Sequence, residues 1–155
     1  TVVGAPVGRK LGRYYLKEIS EGEKDEDRGS CMVVVATDAP LDARQLERLG
    51  KRALLGLAGV GSPMTHGSGD YVISFSSDPR LRTAHEGTGS VEQRPRLRDD
   101  ALSPMFQAVR EATEEAVLNS IFMATTMRGY RDREVEAIPL QRVVEICREH
   151  GVLGN

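Results

Sequence analysis

The period of apolar and polar positions changes several times along the chain. From 30 to 37 the run is apolar at both parities. Cys31, Val33 and Val35 fall on one side of an extended segment, and Met32, Val34 and Ala36 on the other. This predicts a strand that is central in its sheet and covered on both faces. From about 41 to 58 the spacing becomes helical: Leu46, Leu49, Ala53 and Leu57 share one face, and Arg44, Glu47, Arg48 and Lys51 lie on the other. Asp38 is placed to cap this helix with Pro40 in its first turn, and Gly59 and Gly61 end it. Residues 71–76 alternate, with Tyr71, Ile73 and Phe75 against Val72, Ser74 and Ser76, which is a strand pattern. Ser103 as N-cap and Pro104 as first helical residue open another helix. Its apolar face, from Phe106 and Val109 through Ala112, Ala116, Val117 and Ile121 to Met123, predicts a run to about Met127 that Gly129 ends. A last helix starts at Pro139, turns Val143, Val144, Ile146 and Cys147 inward and stops at Gly151.

The joints are polar. Residues 1–10, broken by Gly4, Pro6 and Gly8, predict an edge strand and a turn; Tyr14, Leu16 and Ile19 suit a further strand. Residues 20–28 are a charge run, read as a solvated loop, and residues 61–70 are rich in turn formers. Residues 78–98 carry Arg80, Arg82, Arg94, Arg96 and Arg98, either as a solvated excursion or as the edge of a substrate pocket. The order strand, helix, strand, long loop, helix, helix predicts an α/β fold with a mixed sheet between helices.

Composition narrows the classes. The chain has 155 residues and a net charge of −2, with no basic stripe, so nucleic acid is not an expected partner. No apolar run approaches a membrane span, and no signal peptide is visible, which favours the cytoplasm. The chain starts at Thr1 and not at Met, so it is expected to be a piece of a longer precursor, and the periplasm stays open. Cys31 and Cys147 are too few for a disulfide framework and read as buried thiols. No cluster of metal ligands stands out, so no metal or cofactor is expected.

The candidate chemistry lies at Gly29-Ser30, where the charge run meets the first strand. A turn glycine before a strand accounts for the pair. So does a self-cleaving junction that frees Ser30 as an N-terminal nucleophile. A terminal serine carries its own base, because a free α-amine has a pKa of about 7.7–8.0, near the optimum for general-base catalysis. Glycine before it leaves the carbonyl open to attack and tolerates strained backbone angles. Thr1 is a second terminal hydroxyl, but no strand or motif follows it. His66 invites a catalytic reading, although an N-terminal nucleophile needs no histidine. Asn119, within an apolar helix, reads as a buried structural amide or as a contact behind the site.

The runs SCMVVVATDAPLDARQLERLGKRALLGLAGVGS, HGSGDYVISFSS and LSPMFQAVREATEEAVLNSIFMATTMRG, with TVVGAPVGRKL near the start, resemble the L-aminopeptidase/D-esterase and β-aminopeptidase family, the DmpA family of N-terminal-nucleophile hydrolases. The resemblance covers nearly the whole chain from Ser30 onward. It implies a four-layer α/β/β/α sandwich of which this chain is the C-terminal part. Residues 1–29 would precede the cleavage site, and residues 30–155 would form the nucleophile-bearing chain. It implies self-cleavage between Gly29 and Ser30 and places Ser68-Gly69-Asp70 beside the new amine, with Asp70 where some members carry Glu. Ser68 and Asp70 would orient and charge-balance the amine, with the Ser68 hydroxyl the obvious donor to Asp70.

The implied activity is an aminopeptidase or amidase that releases N-terminal residues from short peptides, amides or esters through an acyl-enzyme on Ser30. The implied partner is the N-terminal chain of the same precursor, which would supply the oxyanion donors and much of the pocket; homo-oligomers of such two-chain units are expected. Two other classes stay open: an acyltransferase with the same nucleophile, and a non-catalytic assembly domain in which Ser30 is an ordinary strand residue.

Overall fold

The computed structural model describes residues 1–12, 29–87 and 89–154. The expected strand through Tyr14, Leu16 and Ile19, and the charge run at 20–28, lie outside the described residues. The elements in order are α1 (Val7–Lys10), β1 (Met32–Thr37), α2 (Ala43–Gly59), β2 (Tyr71–Ser76), α3 (Ser103–Phe122), β3 (Met127–Arg128), β4 (Glu134–Val135) and α4 (Leu140–Glu149). The α/β class holds. β1 and β2 form a parallel pair with Met32 opposite Tyr71, Val34 opposite Ile73 and Ala36 opposite Phe75. α2 is the crossover between them, as a parallel connection requires.

One face of this pair builds the main core. Val35, Leu41, Leu49, Ala53 and Leu102 are buried together, with Val33, Val72, Phe106 and Val109 packed around them. Burial of α2 follows the expected stripe, except that Leu46 is only half-buried. α2 and α3 approach closely at Gly56, where an added Cβ would stand 2.5 Å from the Arg110 carbonyl oxygen and 2.8 Å from Thr113 Cβ. Arg52 and Arg48 stack over the Phe106 ring at 4.0 and 5.1 Å from its centroid. A smaller core joins the first residues to α4: Ala5, Val7, Val143, Ile146 and Cys147 are buried there.

The other face of the pair is open, against the expectation of a strand covered on both sides and of helices on both sides of the sheet. Met32, Val34, Tyr71, Ile73 and Phe75 are 45–65% exposed. Residues of α2 and α3 pack on the Val33/Val35 side, which leaves the opposite side exposed.

Several boundaries differ from the sequence reading for local reasons. The cap of α2 is Asp42 and not Asp38: Asp42 Oδ1 accepts the Gln45 amide at 2.7 Å and Gln45 Oε1 accepts the Asp42 amide at 3.2 Å. Leu41 is already buried ahead of this box, so the cap lies four residues on from Asp38 and the helix starts at Ala43 in place of about 41. Ser103 does not cap α3. A 3₁₀ turn at Asp99–Ala101 leads into it and Leu102 already has helical angles, so Ser103 is its first residue, with Pro104 in the first turn. α3 ends at Phe122, and Met127–Arg128 pairs antiparallel with Glu134–Val135. Its apolar face is largely uncovered: only Thr113 is buried, and Met123 is 81% exposed. Residues 1–10 form an isolated bridge between Val2 and Ala5 followed by α1, in place of a strand. In α4, Val144 points outward, and Gly151 ends the helix at φ +67°.

Candidate active site

The site forms where β1 and β2 begin. The parallel register places the residues before Met32 beside those before Tyr71. The loop after α2 therefore delivers Ser68, Gly69 and Asp70 to Ser30. Three hydrogen bonds tie them. The Gly69 amide donates to Ser30 Oγ at 3.1 Å. The Ser68 hydroxyl donates to Asp70 Oδ2 at 2.7 Å. The Cys31 amide donates to Asp70 Oδ1 at 2.9 Å. The ladder also starts here, with the Tyr71 amide on the Cys31 carbonyl at 3.0 Å.

Each carboxylate oxygen of Asp70 thus has a donor, and the Ser68 hydrogen is committed to the carboxylate. The Ser68 oxygen keeps lone pairs for a further donor. Asp70 is half-buried and Ser30 is exposed. Gly69 matters as a glycine: a Cβ there would stand 3.4 Å from Ser30 Oγ, 3.2 Å from Tyr71 Cε2 and 3.7 Å from the Tyr71 hydroxyl.

The other candidates lie apart from this cluster. The Thr1 amine donates to the Val60 carbonyl at 2.9 Å and its hydroxyl to the Gly59 carbonyl at 3.3 Å, so Thr1 is docked at the end of α2. His66 is exposed in the loop. Asn119 is exposed on α3, which corrects the buried-amide reading. Cys31 is half-buried and Cys147 buried; both are free thiols. Among the described residues no group of His, Cys, Asp or Glu has the arrangement of a metal site. Among the described residues no helix is long and apolar enough to cross a membrane.

The arginine-rich excursion is clasped to the N-terminal end of α2. Gln45, fully buried, donates to the Leu97 carbonyl and to Asp99 Oδ1, both at 2.8 Å. Arg96 bridges Asp42 and Asp99. The backbone bond from Gln45 holds the Asp42 carboxyl below its usual range, with Arg96 adding to it. The Gln45 side chain and nearby arginines lower that of Asp99. Asp78, 3% exposed, takes a bidentate Arg80, whose side-chain and backbone bonds hold its carboxyl low. These arginines are committed to structural carboxylates. Sequence reasoning missed the Gly69 amide and the placement of Tyr71 beside Ser30.

Comparisons with known proteins give the class. An L-aminopeptidase D-Ala-esterase/amidase from Ochrobactrum anthropi, described as a prototype of the serine aminopeptidases and a variant of the Ntn hydrolase fold, superposes with a TM-score of 0.71 at 32% identity, covering 79% of this chain and 34% of that one. A β-aminopeptidase from Burkholderia sp. superposes with a TM-score of 0.68 at 28% identity over 91% of this chain and 40% of that one. The fold is therefore that of the Ntn hydrolases. The peptidase family S58 model matches residues 1–135. The chain belongs to peptidase family S58. The β-peptidyl aminopeptidase BapA of Sphingosinicella microcystinivorans is 35% identical over 159 residues, 96% of this chain and 39% of that protein. Its namesake from Sphingosinicella xenopeptidilytica is 33% identical over 133 residues, 81% of this chain and 31% of that protein. The chain thus spans less than half the length of the relatives it matches.

Proposed function

We propose that the chain carries the nucleophile of a self-processing serine aminopeptidase, which releases N-terminal residues from short peptides, amides or esters. The observation that carries this reading is the Gly69 amide on Ser30 Oγ beside a Ser68 hydroxyl committed to Asp70.

In the processing step Ser30 Oγ attacks the Gly29 carbonyl carbon. The bond to the Ser30 nitrogen breaks and the Gly29 acyl group passes to oxygen. Water then hydrolyses the ester, leaving a Gly29 carboxylate and a free Ser30 amine. In turnover that amine takes the Oγ proton as Oγ attacks the substrate carbonyl, then returns it to the leaving amine. Water repeats the sequence on the acyl-enzyme. The Gly69 amide holds Oγ in place. Ser68 accepts from the ammonium form with its free lone pairs, and the Asp70 charge behind it favours that form. The Cys31 amide fixes the carboxylate, so its charge reaches the amine through Ser68.

The open face of β1 and β2 supports a second layer contributed by the N-terminal chain of the same precursor, with residues 1–29 preceding the cleavage site. The relatives' greater length supports the same division. The oxyanion donors are assigned to that chain, and removal of one such donor typically costs ~10²–10³ in rate.

The test uses the full-length precursor and aminoacyl p-nitroanilides. The parent should hydrolyse them, and Ser30→Ala should not. Turnover retained by Ser30→Ala would overturn the reading. If an added amine receives the acyl group in preference to water, the enzyme is an acyltransferase instead.

A further inference from the structure

Ser30 opens onto a surface where Met32 and Tyr71, paired across the two strands, are large exposed side chains at the same end of the sheet. Strand alternation places Ser30 on the side of Met32 and Val34, the open face. Tyr71 is the residue paired with Met32 and is 62% exposed on that face. A Cβ on Gly69 would be crowded, at 3.4 Å from Ser30 Oγ and 3.2 Å from Tyr71 Cε2, so the glycine is what lets the Tyr71 ring edge lie this near the nucleophile. Gly69 has no side chain, and Ser68 and Asp70 are turned to each other and to the Cys31 amide. An acyl group joined to Ser30 Oγ therefore has the edge of the phenol ring close by on the neighbouring strand.

We propose that Tyr71 is a specificity-determining residue, the wall against which the side chain of the acyl group packs. This rests on the aminopeptidase reading and adds the substrate class: acyl groups with a bulky apolar side chain. A ring gains by covering apolar surface of such a side chain and gains nothing from a hydrogen atom in its place. With no side chain at Gly69, the ring edge faces Ser30 Oγ uncovered. The role is carried by the ring and not by its hydroxyl, so phenylalanine should replace it.

The test measures kcat/KM for matched p-nitroanilides in the processed full-length enzyme. The pairs are leucine against glycine and β-homoleucine against β-alanine, and the pair used is the one the parent turns over. Tyr71→Ala should lower the preference for the bulky member about tenfold or more, and Tyr71→Phe should keep it within about threefold of the parent, as expected for a contact of this size. Both variants should still cleave at Gly29-Ser30. A preference unchanged or raised in Tyr71→Ala overturns the proposal. If Ser30→Ala turns over like the parent, the aminopeptidase reading has failed and the wall falls with it. If Ser30→Ala is inactive and the preference survives in Tyr71→Ala, the wall alone has failed.

Discussion

Asp70 Oδ1 accepts the amide of Cys31 at 2.9 Å, so a carboxylate at the mouth of β2 is anchored to the residue that follows Ser30 in β1. Its second oxygen takes the Ser68 hydroxyl. Asp70→Asn keeps an oxygen for the Cys31 amide, removes the charge and turns an N–H toward Ser68. It should lower kcat/KM at least about tenfold, or about 1.4 kcal/mol of transition-state stabilisation, with the melting temperature nearly unchanged. Turnover equal to the parent's would assign Asp70 to strand anchoring alone. Kinetics beside a thermal melt decide it.

Gly56 sets the approach of α2 to α3. In Gly56→Ala the new methyl would meet the Arg110 carbonyl at 2.5 Å, and backbone cannot rotate away. The expected loss is ~1–3 kcal/mol in denaturant unfolding. Gly50→Ala is the control: its closest neighbour, at 2.7 Å, is the Ser74 hydroxyl oxygen, which can turn aside, so the loss should be smaller. Equal losses would mean that the α2–α3 contact is more pliable than its distances imply.

Gln45 ties residues 97–99 to α2 through two side-chain donations, while its oxygen caps Asp42. Gln45→Leu preserves size and strands those partners. It should cost ~1–3 kcal/mol and speed proteolysis within residues 78–98. Unchanged cleavage of that segment would show that the ties left, Arg96 and Arg44 to Asp99 and the Leu97 amide to the Pro40 carbonyl, hold it without Gln45.

Asp42, Asp78 and Asp99 all have carboxyl pKa values below the ordinary range. A depressed folded value contributes stability that is fully present above the unfolded carboxylate value of about 3.9. That contribution is lost as pH falls through the folded values. Melting temperature should therefore hold above about pH 4 and fall below it. Asp78→Asn should lower the plateau and shallow the acid limb. An acid limb as steep as the parent's would mean that the Asp78–Arg80 pair contributes nothing.

β2 was legible to the residue because its two faces differ, and strict alternation has one reading. β1 was legible as a strand, but not in its surroundings. Apolar residues on both faces state that both are to be covered, and the sequence does not state by which chain. In this structure Met32 and Val34 remain open. Asp38 and Asp42 both suit a helix start, and only the burial of Leu41 decides between them. Ser68 and Asp70 were found through family resemblance, and the structure places them around the first residues of β1. The Gly69 donor is backbone, which leaves no residue-type signal, and Tyr71 read as one more position on an alternating face. Both emerge only when the parallel register sets two strand starts side by side.

The central claim is that Ser30 is a nucleophile released by breaking its own bond to Gly29. Intact-mass spectrometry of the full-length precursor, beside its Ser30→Ala variant, tests it most directly. The account predicts two chains from the parent, the second beginning at Ser30, and one uncut chain from the variant. A variant that still splits between 29 and 30, or a parent that stays in one piece while hydrolysing aminoacyl anilides, would contradict it.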